Sequence, residues 1–276
     1  MFIKLEEMHI PQLAAYVSSC GDETIYLLKP LELLKNQEAQ GVFYGYMEED
    51  TLIGVFYFSA KRVMSLHCKN PRILGNLDLL KAIKFHKPKF VKGTSPMVDG
   101  IYKLICRTVS STSESMATLM GFESDHLSIK ASNEIDLVTG SNKLVDELLN
   151  DLKFFIDVET HFGRQVKAIN DIVKEFKELI AQDNYLLGVI GHEIVAQGMI
   201  EDETEHMGIL SGIYVSPKYR KRGFGEVISS ELTKILLERH KKPYLFVKDN
   251  NPNARALYDR IGYKVIKSYK LLTIEY

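Results

Sequence analysis

The stretch GILSGIYVSPKYRKRGFGEVISSELTKILLER, residues 208–239, constrains the fold more than any other. It opens on an apolar, β-branched run that Pro217 stops, since proline lacks an N–H and fixes φ. Gly223 and Gly225 follow, and then Phe224, Val227, Ile228, Leu232, Ile235 and Leu236 recur at helical spacing over 223–239. A strand that passes through a bend into an amphipathic helix requires a sheet with that helix packed on one face. At the start of such a helix the first N–H groups are unpaired and the dipole is positive, and glycines let a ligand come close to the backbone. Arg220, Lys221 and Arg222 add cationic side chains suited to phosphate oxygens. The segment therefore predicts an anion site at a strand end. A solvated basic loop with glycines for turning is the other reading. The bare pattern Arg/Gln-x-x-Gly-x-Gly/Ala arises by chance in roughly a quarter of chains this long.

The surrounding elements agree with such a sheet. Residues 165–181 place Val166, Ile169, Ile172, Val173, Phe176, Leu179 and Ile180 on one helical face. YLLGVI and EIVAQGMI, joined at Gly191-His192, read as a hairpin, and GILSGIYV follows as the next strand. After the 223–239 helix, Pro243 opens the strand YLFV, the loop DNNPN leads into the short helix ARALYDRIG, and a strand pair YKVI and KLLTI ends the chain. Strand, helix, strand, helix in this order implies a parallel crossover in a mixed α/β sheet flanked by helices.

The first half repeats this order. FYGYMEEDTLIGVFYF (43–58) reads as a hairpin, HKPKFVKGTSP resembles HKKPYLFVKDNNP, and LMGFESDHLSIK resembles DRIGYKVIKSYKL. Gly54 to Gly121 spans 67 residues and Gln197 to Gly262 spans 65. With 276 residues, two domains of ordinary size are expected. We read a diverged duplication, with domains 1–130 and 131–276 and a boundary near residue 130. There KASNEID turns polar ahead of a helix through Leu144, Val145, Leu148, Leu149 and Leu152. The first half keeps Pro71 and Gly75 but no second glycine and no basic triplet, so it is not expected to hold the same anion. Its lysine-rich KAIKFHKPKFVKG reads as a solvated face, or as an attraction for an acidic acceptor.

Composition narrows the partners. The net charge is −1, which provides no field for gathering nucleic acid or an anionic membrane. Cys20, Cys68 and Cys106 are odd in number and far apart, with neither metal-ligand spacing nor a disulfide framework, which suits a reducing cytoplasm. No apolar run has the length of a membrane span, and the first residues lack the apolar core of a signal peptide. No metal, nucleic-acid or membrane partner is expected, and the oligomeric state is not legible.

Val215-Ser-Pro217-Lys-Tyr-Arg220-Lys-Arg-Gly223-Phe-Gly225, on a strand end before a helix, resembles the acyl-CoA-binding motif of the GNAT superfamily of N-acyltransferases. A second motif stands in order behind it: Asn251-x-x-Ala254-x-x-Leu257-Tyr258-x-x-x-Gly262-Tyr263. The resemblance is close over 184–270 and looser over 131–276. It implies a GNAT fold in two tandem modules and acetyl-CoA as co-substrate. Backbone N–H groups of Arg220, Lys221, Arg222, Gly223, Phe224 and Gly225 would hold the pyrophosphate. The main chain of Ile213 and Val215 would pair with the pantetheine arm, on a strand splayed from 244–248 through a bulge for which Gly212 is fitted. Asn251, with Asn250 as rival, would contact the cofactor, and Tyr258 would act as general acid toward the leaving thiolate. Tyr258 as a core aromatic is the plain structural alternative. The strand before the loop carries no acid. Of the cluster Glu201, Asp202, Glu203, Glu205 and His206, Glu205 or His206 is nearest the strand as a base acting through a water; the carbonyls and waters of the site are the alternative, and a solvated turn is the competing reading of the cluster.

The resemblance thus implies an N-acetyltransferase acting on a small-molecule or peptide amine. A non-catalytic acyl-CoA sensor is the alternative, motivated by the missing strand acid. An aminoacyl-tRNA-dependent transferase is weaker, because such an enzyme has no use for a pyrophosphate loop.

Overall fold

A computed structural model describes residues 1–124, 127, 132–139, 152–163, 169–180 and 184–276. The chain forms two compact units: Met1–Leu119 with Lys248–Asn250 and Val265–Tyr276, and Met120–Val247 with Asn251–Lys264. The division therefore does not fall at one point near residue 130, since the last twelve residues belong to the first unit.

The first unit runs β1 (Phe2–Lys4), α1 (Ile10–Cys20), α2 (Ile25–Lys35), β2 (Gly41–Glu48), β3 (Thr51–Ser59), β4 (Val63–Cys68), α3 (Leu77–His86), β5 (Phe90–Thr94), α4 (Ser95–Ile105) and β6 (Ser111–Phe122), whose last residues pass to the second unit. β2 and β3 form the expected hairpin, turning at Glu49 and Asp50, both with positive φ as a two-residue turn of matching twist demands. The run Val55-Phe56-Tyr57-Phe58 is apolar throughout because both faces of β3 are covered. Val55 and Tyr57 pack with Leu13, Val17 and Leu27 of α1 and α2; Phe56 and Phe58 pack with Leu79, Ile83 and Ile101 of α3 and α4. β4 and β5 are parallel, with α3 as the crossover between them. Beside β5, antiparallel to it, lie Tyr269–Thr273 of the final strand.

A polar chain ties that strand in place. The Tyr16 hydroxyl and His67 Nδ1 lie 2.8 Å apart, His67 Nε2 lies 3.1 Å from Glu23 Oε2, and Lys267 pairs with Glu23. A neutral imidazole protonated at Nε2 satisfies both neighbours. Burial holds the His67 pKa below its ordinary 6.5, against the pull of Glu23 and helped by Lys267 and Lys69. Lys267 likewise holds the Glu23 carboxyl below its usual range. The folded imidazole binds its proton less tightly than the unfolded one, so its contribution is present above about pH 6.5 and lost as pH falls below it. The urea midpoint of the wild type should drop between pH 7 and 5.5, and His67→Gln should flatten that drop; parallel curves for the two proteins would refute the assignment.

The second unit runs β7 (Asp136–Val138), α5 (Leu152–His161), α6 (Ile169–Ile180), β8 (Tyr185–Ile190), β9 (Glu193–Glu203), β10 (Met207–Val215), α7 (Phe224–Glu238), β11 (Lys242–Lys248) and α8 (Pro252–Ile261), ending in the first residues of β12 (Tyr263–Glu275). Its strands lie in the order β7-β8-β9-β10-β11, antiparallel except for the parallel pair β10–β11 that α7 connects. α5 and α6 cover one face through Phe154, Phe155, Val158 and Phe176, against Tyr185, Leu187 and Tyr214. α7 and α8 cover the other through Phe224, Ile228, Leu232 and Tyr258, against Leu186, Val195 and Leu245. The expected helix through Leu144, Val145, Leu148 and Leu149 lies outside the described residues, as do 165–168 and 181 of the next. Among the described residues the two units repeat one order: a strand, two helices, three strands, a helix, a strand and a helix. One expectation is corrected. YKVI and KLLTI are not a strand pair but one continuous strand, Tyr263–Glu275, because Lys267-Ser268 lacks the Gly, Asn or Asp that a two-residue hairpin turn demands and β5 supplies the partner. No helix among the described residues is long and apolar enough to cross a membrane.

Candidate functional site

The site grows out of β10. Met207–Leu210 pair in register with Lys242–Leu245, and there the parallel register with β11 ends. On the other side, Ser211 faces Met199 and Tyr214 faces Gln197, so β10 holds one residue more than β9 over that interval. That is a bulge, and Gly212 sits in it with φ of +64°. A Cβ at this position would meet Met199 Cε at 2.8 Å in addition to the left-handed backbone. Gly212→Val should lower the unfolding free energy by about 1–3 kcal/mol and dislocate the bulge. Urea titration checks the first effect; an unchanged midpoint would show that the bulge tolerates a side chain.

At the end of β10, Pro217–Tyr219 make a short 3-10 turn. Lys221 and Gly223 then take positive φ, 65° and 87°, and Gly223 caps α7 without a side chain of its own. Among the described residues the amides of Lys221, Arg222, Gly223, Phe224 and Gly225 find no backbone acceptor, while Glu226 and Val227 already bond to Gly223 O at 3.0 and 3.1 Å. Five consecutive N–H groups at a helix start, bent through left-handed residues, form a concavity of donors of the kind that suits an anion. The basic triplet is divided. Arg220 turns back, its Nε donating to Val215 O at 3.0 Å, and Arg222 pairs with Glu134 at 2.6 Å and stacks on Phe224 and Tyr219. Lys221 is exposed and has no ionic partner among the described residues. Gly225 lets α7 pass close to α8, since a Cβ there would stand 3.3 Å from Leu257. The first unit's counterpart differs in kind: Asn76 Oδ1 already accepts from Asp78 and Leu79 N–H, and Asn70 Oδ1 from Arg72 N–H.

Asn251 caps α8, its Oδ1 accepting from Ala254 N–H at 3.1 Å, which leaves its NH₂ and one oxygen lone pair for another partner. Tyr258, two helical turns on, is 8% exposed. Burial pushes its hydroxyl pKa up to about 12, and the neighbouring Ser229 offsets part of that rise. The Ser229 Oγ is buried yet makes no hydrogen bond of regular geometry. Tyr258 is therefore packed as a core residue and also remains a proton donor throughout the physiological range.

Glu205 and His206 are not brought to this place. They form the β9–β10 turn with side chains 83% and 86% exposed, at the start of β10, whereas the glycine loop leaves its end. At about 3.3 Å per residue the strand separates them from the loop by roughly 30 Å. Of the rest of the acidic cluster, Glu203 is structural, held by Arg239 and Lys241 at 2.9 and 2.8 Å. Among the described residues no cluster of three His, Cys, Asp or Glu could hold a metal.

One pair was not foreseen. Gln197 of β9 is 1% exposed; its Nε2 donates to Gly212 O at 3.2 Å, and the Tyr185 hydroxyl donates to its Oε1. The only sequence signal was an amide in the middle of the apolar run EIVAQGMI.

With this geometry described, comparison with known proteins identifies the fold. The family model FR47-like protein matches residues 190–271, β9 through most of β12. Comparison with curated proteins finds no match. Among solved structures, a Drosophila protein is 13% identical with a TM-score of 0.71, covering 99% of this chain and 98% of its own. A GCN5-related N-acetyltransferase from Sphaerobacter thermophilus is 15% identical with a TM-score of 0.68, covering 99% and 95%. A tandem GNAT protein from the clavulanic acid biosynthesis pathway is 9% identical with a TM-score of 0.61, covering 99% and 98%. The chain has the GNAT fold, as the two sequence motifs imply.

Proposed function

We propose that this chain is an acetyl-CoA-dependent N-acetyltransferase with its cofactor site in the second unit. The observation that carries the reading is the row of five unpartnered amides, 221–225, at the end of a strand that has parted from its parallel neighbour. The residues fit the cofactor: the amides and Lys221 suit a diphosphate, and the open edge of 211–215 offers main-chain groups to an extended amide-bearing arm. An amine acceptor must shed a proton, attack the thioester carbonyl and expel the thiolate. Tyr258 supplies the proton to that thiolate. No side chain of β10 provides a base, so solvent or the acceptor's own equilibrium removes the amine proton. The acceptor is a small-molecule or peptide amine. The first unit, with its helix start already capped by Asn76, takes no acetyl-CoA, and the cytoplasm is the compartment this chemistry suits.

The absence of an acid on β10 favours a second reading, a sensor that binds acyl-CoA without turnover. A thiol-release screen with acetyl-CoA across amino acids, polyamines, aminoglycosides and peptide N-termini, run beside calorimetric titration of acetyl-CoA, separates the two. Binding with thiol release in one class supports the enzyme; binding with no release in any class supports the sensor; no binding removes both.

A further inference from the structure

We infer that Gln197 and Tyr185 are positioning residues that aim the amide of Ile213 at the carbonyl of the bound thioester. The inference rests on the acyl-CoA reading of the site and goes beyond it by naming what holds the strand in register for chemistry. Gln197 Nε2 grips Gly212 O from the β9 side of β10. A trans peptide is planar, with C=O and the following N–H pointing in opposite directions. Once the carbonyl of Gly212 is turned toward β9, the N–H of Ile213 is turned the other way, toward β11. There the register has ended at Leu210, so among the described residues that edge of β10 has no strand paired to it.

The grip is itself fixed. A lone glutamine amide can rotate and present its oxygen instead of its nitrogen, which would repel Gly212 O. The Tyr185 hydroxyl donates to Gln197 Oε1 and so forces the NH₂ toward Gly212. Both side chains are fully buried, Tyr185 within the Phe176 and Leu187 cluster, so no water competes for these bonds. The bulge makes the arrangement necessary. Gly212 and Ile213 share one place opposite β9, and the left-handed Gly212 can swing its peptide either way. The side chains select one orientation.

The test uses the full chain with acetyl-CoA, comparing wild type, Gln197→Met and Tyr185→Phe. Infrared difference spectra of bound acetyl-CoA report the thioester C=O stretch, and hydrogen exchange reports the Ile213 amide. In the wild type the stretch should be displaced to lower frequency; in Gln197→Met that displacement should shrink by half or more. With an acceptor from the amine screen, Gln197→Met should lose about 30-fold in kcat and Tyr185→Phe about 5-fold, with KM for acetyl-CoA moving less than about 3-fold. An unchanged stretch and unchanged kcat in a folded Gln197→Met protein would overturn the inference. Should Gln197→Met fail to fold, Tyr185→Phe decides by the same readouts. If the wild type binds no acetyl-CoA, the acyl-transfer reading falls by itself. The clamp is then judged on hydrogen exchange, where Gln197→Met must change the Ile213 rate about tenfold or the clamp is refuted as well.

Discussion

Gly223→Glu should raise the dissociation constant for acetyl-CoA by about 100-fold or more, the largest binding effect expected of any single change in the chain. Three costs coincide there. Gly223 has φ of 87°, where a side chain strains the backbone by about 1–2 kcal/mol. The new carboxylate would sit at the positive end of α7 and accept hydrogen bonds from the amides reserved for the ligand. It would also repel a diphosphate directly. Gly223→Ala isolates the first cost and should weaken binding only about tenfold, since 1.4 kcal/mol is one decade. Calorimetry on the three proteins, with thermal melts to confirm folding, decides the matter. Wild-type affinity in Gly223→Glu would mean that the amides of 221–225 face something other than the cofactor.

Tyr258→Phe should cut kcat about 100-fold while leaving KM for acetyl-CoA within a few-fold, since in the proposed mechanism the hydroxyl acts on the leaving thiolate and not on the resting complex. The fold should survive, because the ring keeps its packing against Tyr263 and the hydroxyl's described neighbour is Ser229. The pH profile provides an independent check. The donor must be protonated, and burial keeps the Tyr258 hydroxyl so up to about 12, so kcat should show no alkaline decline from this residue between pH 7 and 10. A decline in that range that disappears in Tyr258→Phe would contradict the burial argument. Full activity in the phenylalanine variant would leave Tyr258 a packing residue.

The geometry of the glycine loop could be read from residues because it is local. A proline stop, three cations, two glycines and an amphipathic run describe a strand end and a helix start within a dozen positions, and backbone amides need no distant partner to become an anion site. Asn251 shows the limit of a motif. The motif marks it as a cofactor contact, yet in the fold its oxygen accepts from Ala254 N–H and caps α8. Glu205 and His206 show another limit. They are close to β10 in sequence, but an extended strand carries them to the wrong end of it. The Gln197–Tyr185 pair could not be seen, because its meaning depends on a bulge that exists only where two strands differ by one residue in register.

By itself, then, the order of residues determined the sheet-and-helix alternation, its repetition in two halves, and the strand–loop–helix to which we assign the anion site. Tertiary structure alone decided which unit owns the final strand. Val265–Tyr276 follows directly from the helix that bears Tyr258, but it belongs to the first unit, paired with β5 and tied by Lys267 to Glu23. The physical reason is that a strand's backbone donors and acceptors are the same whatever its sequence, so any open edge of matching register can accept it. Side-chain alternation says which face is buried, and only the assembled core says against what.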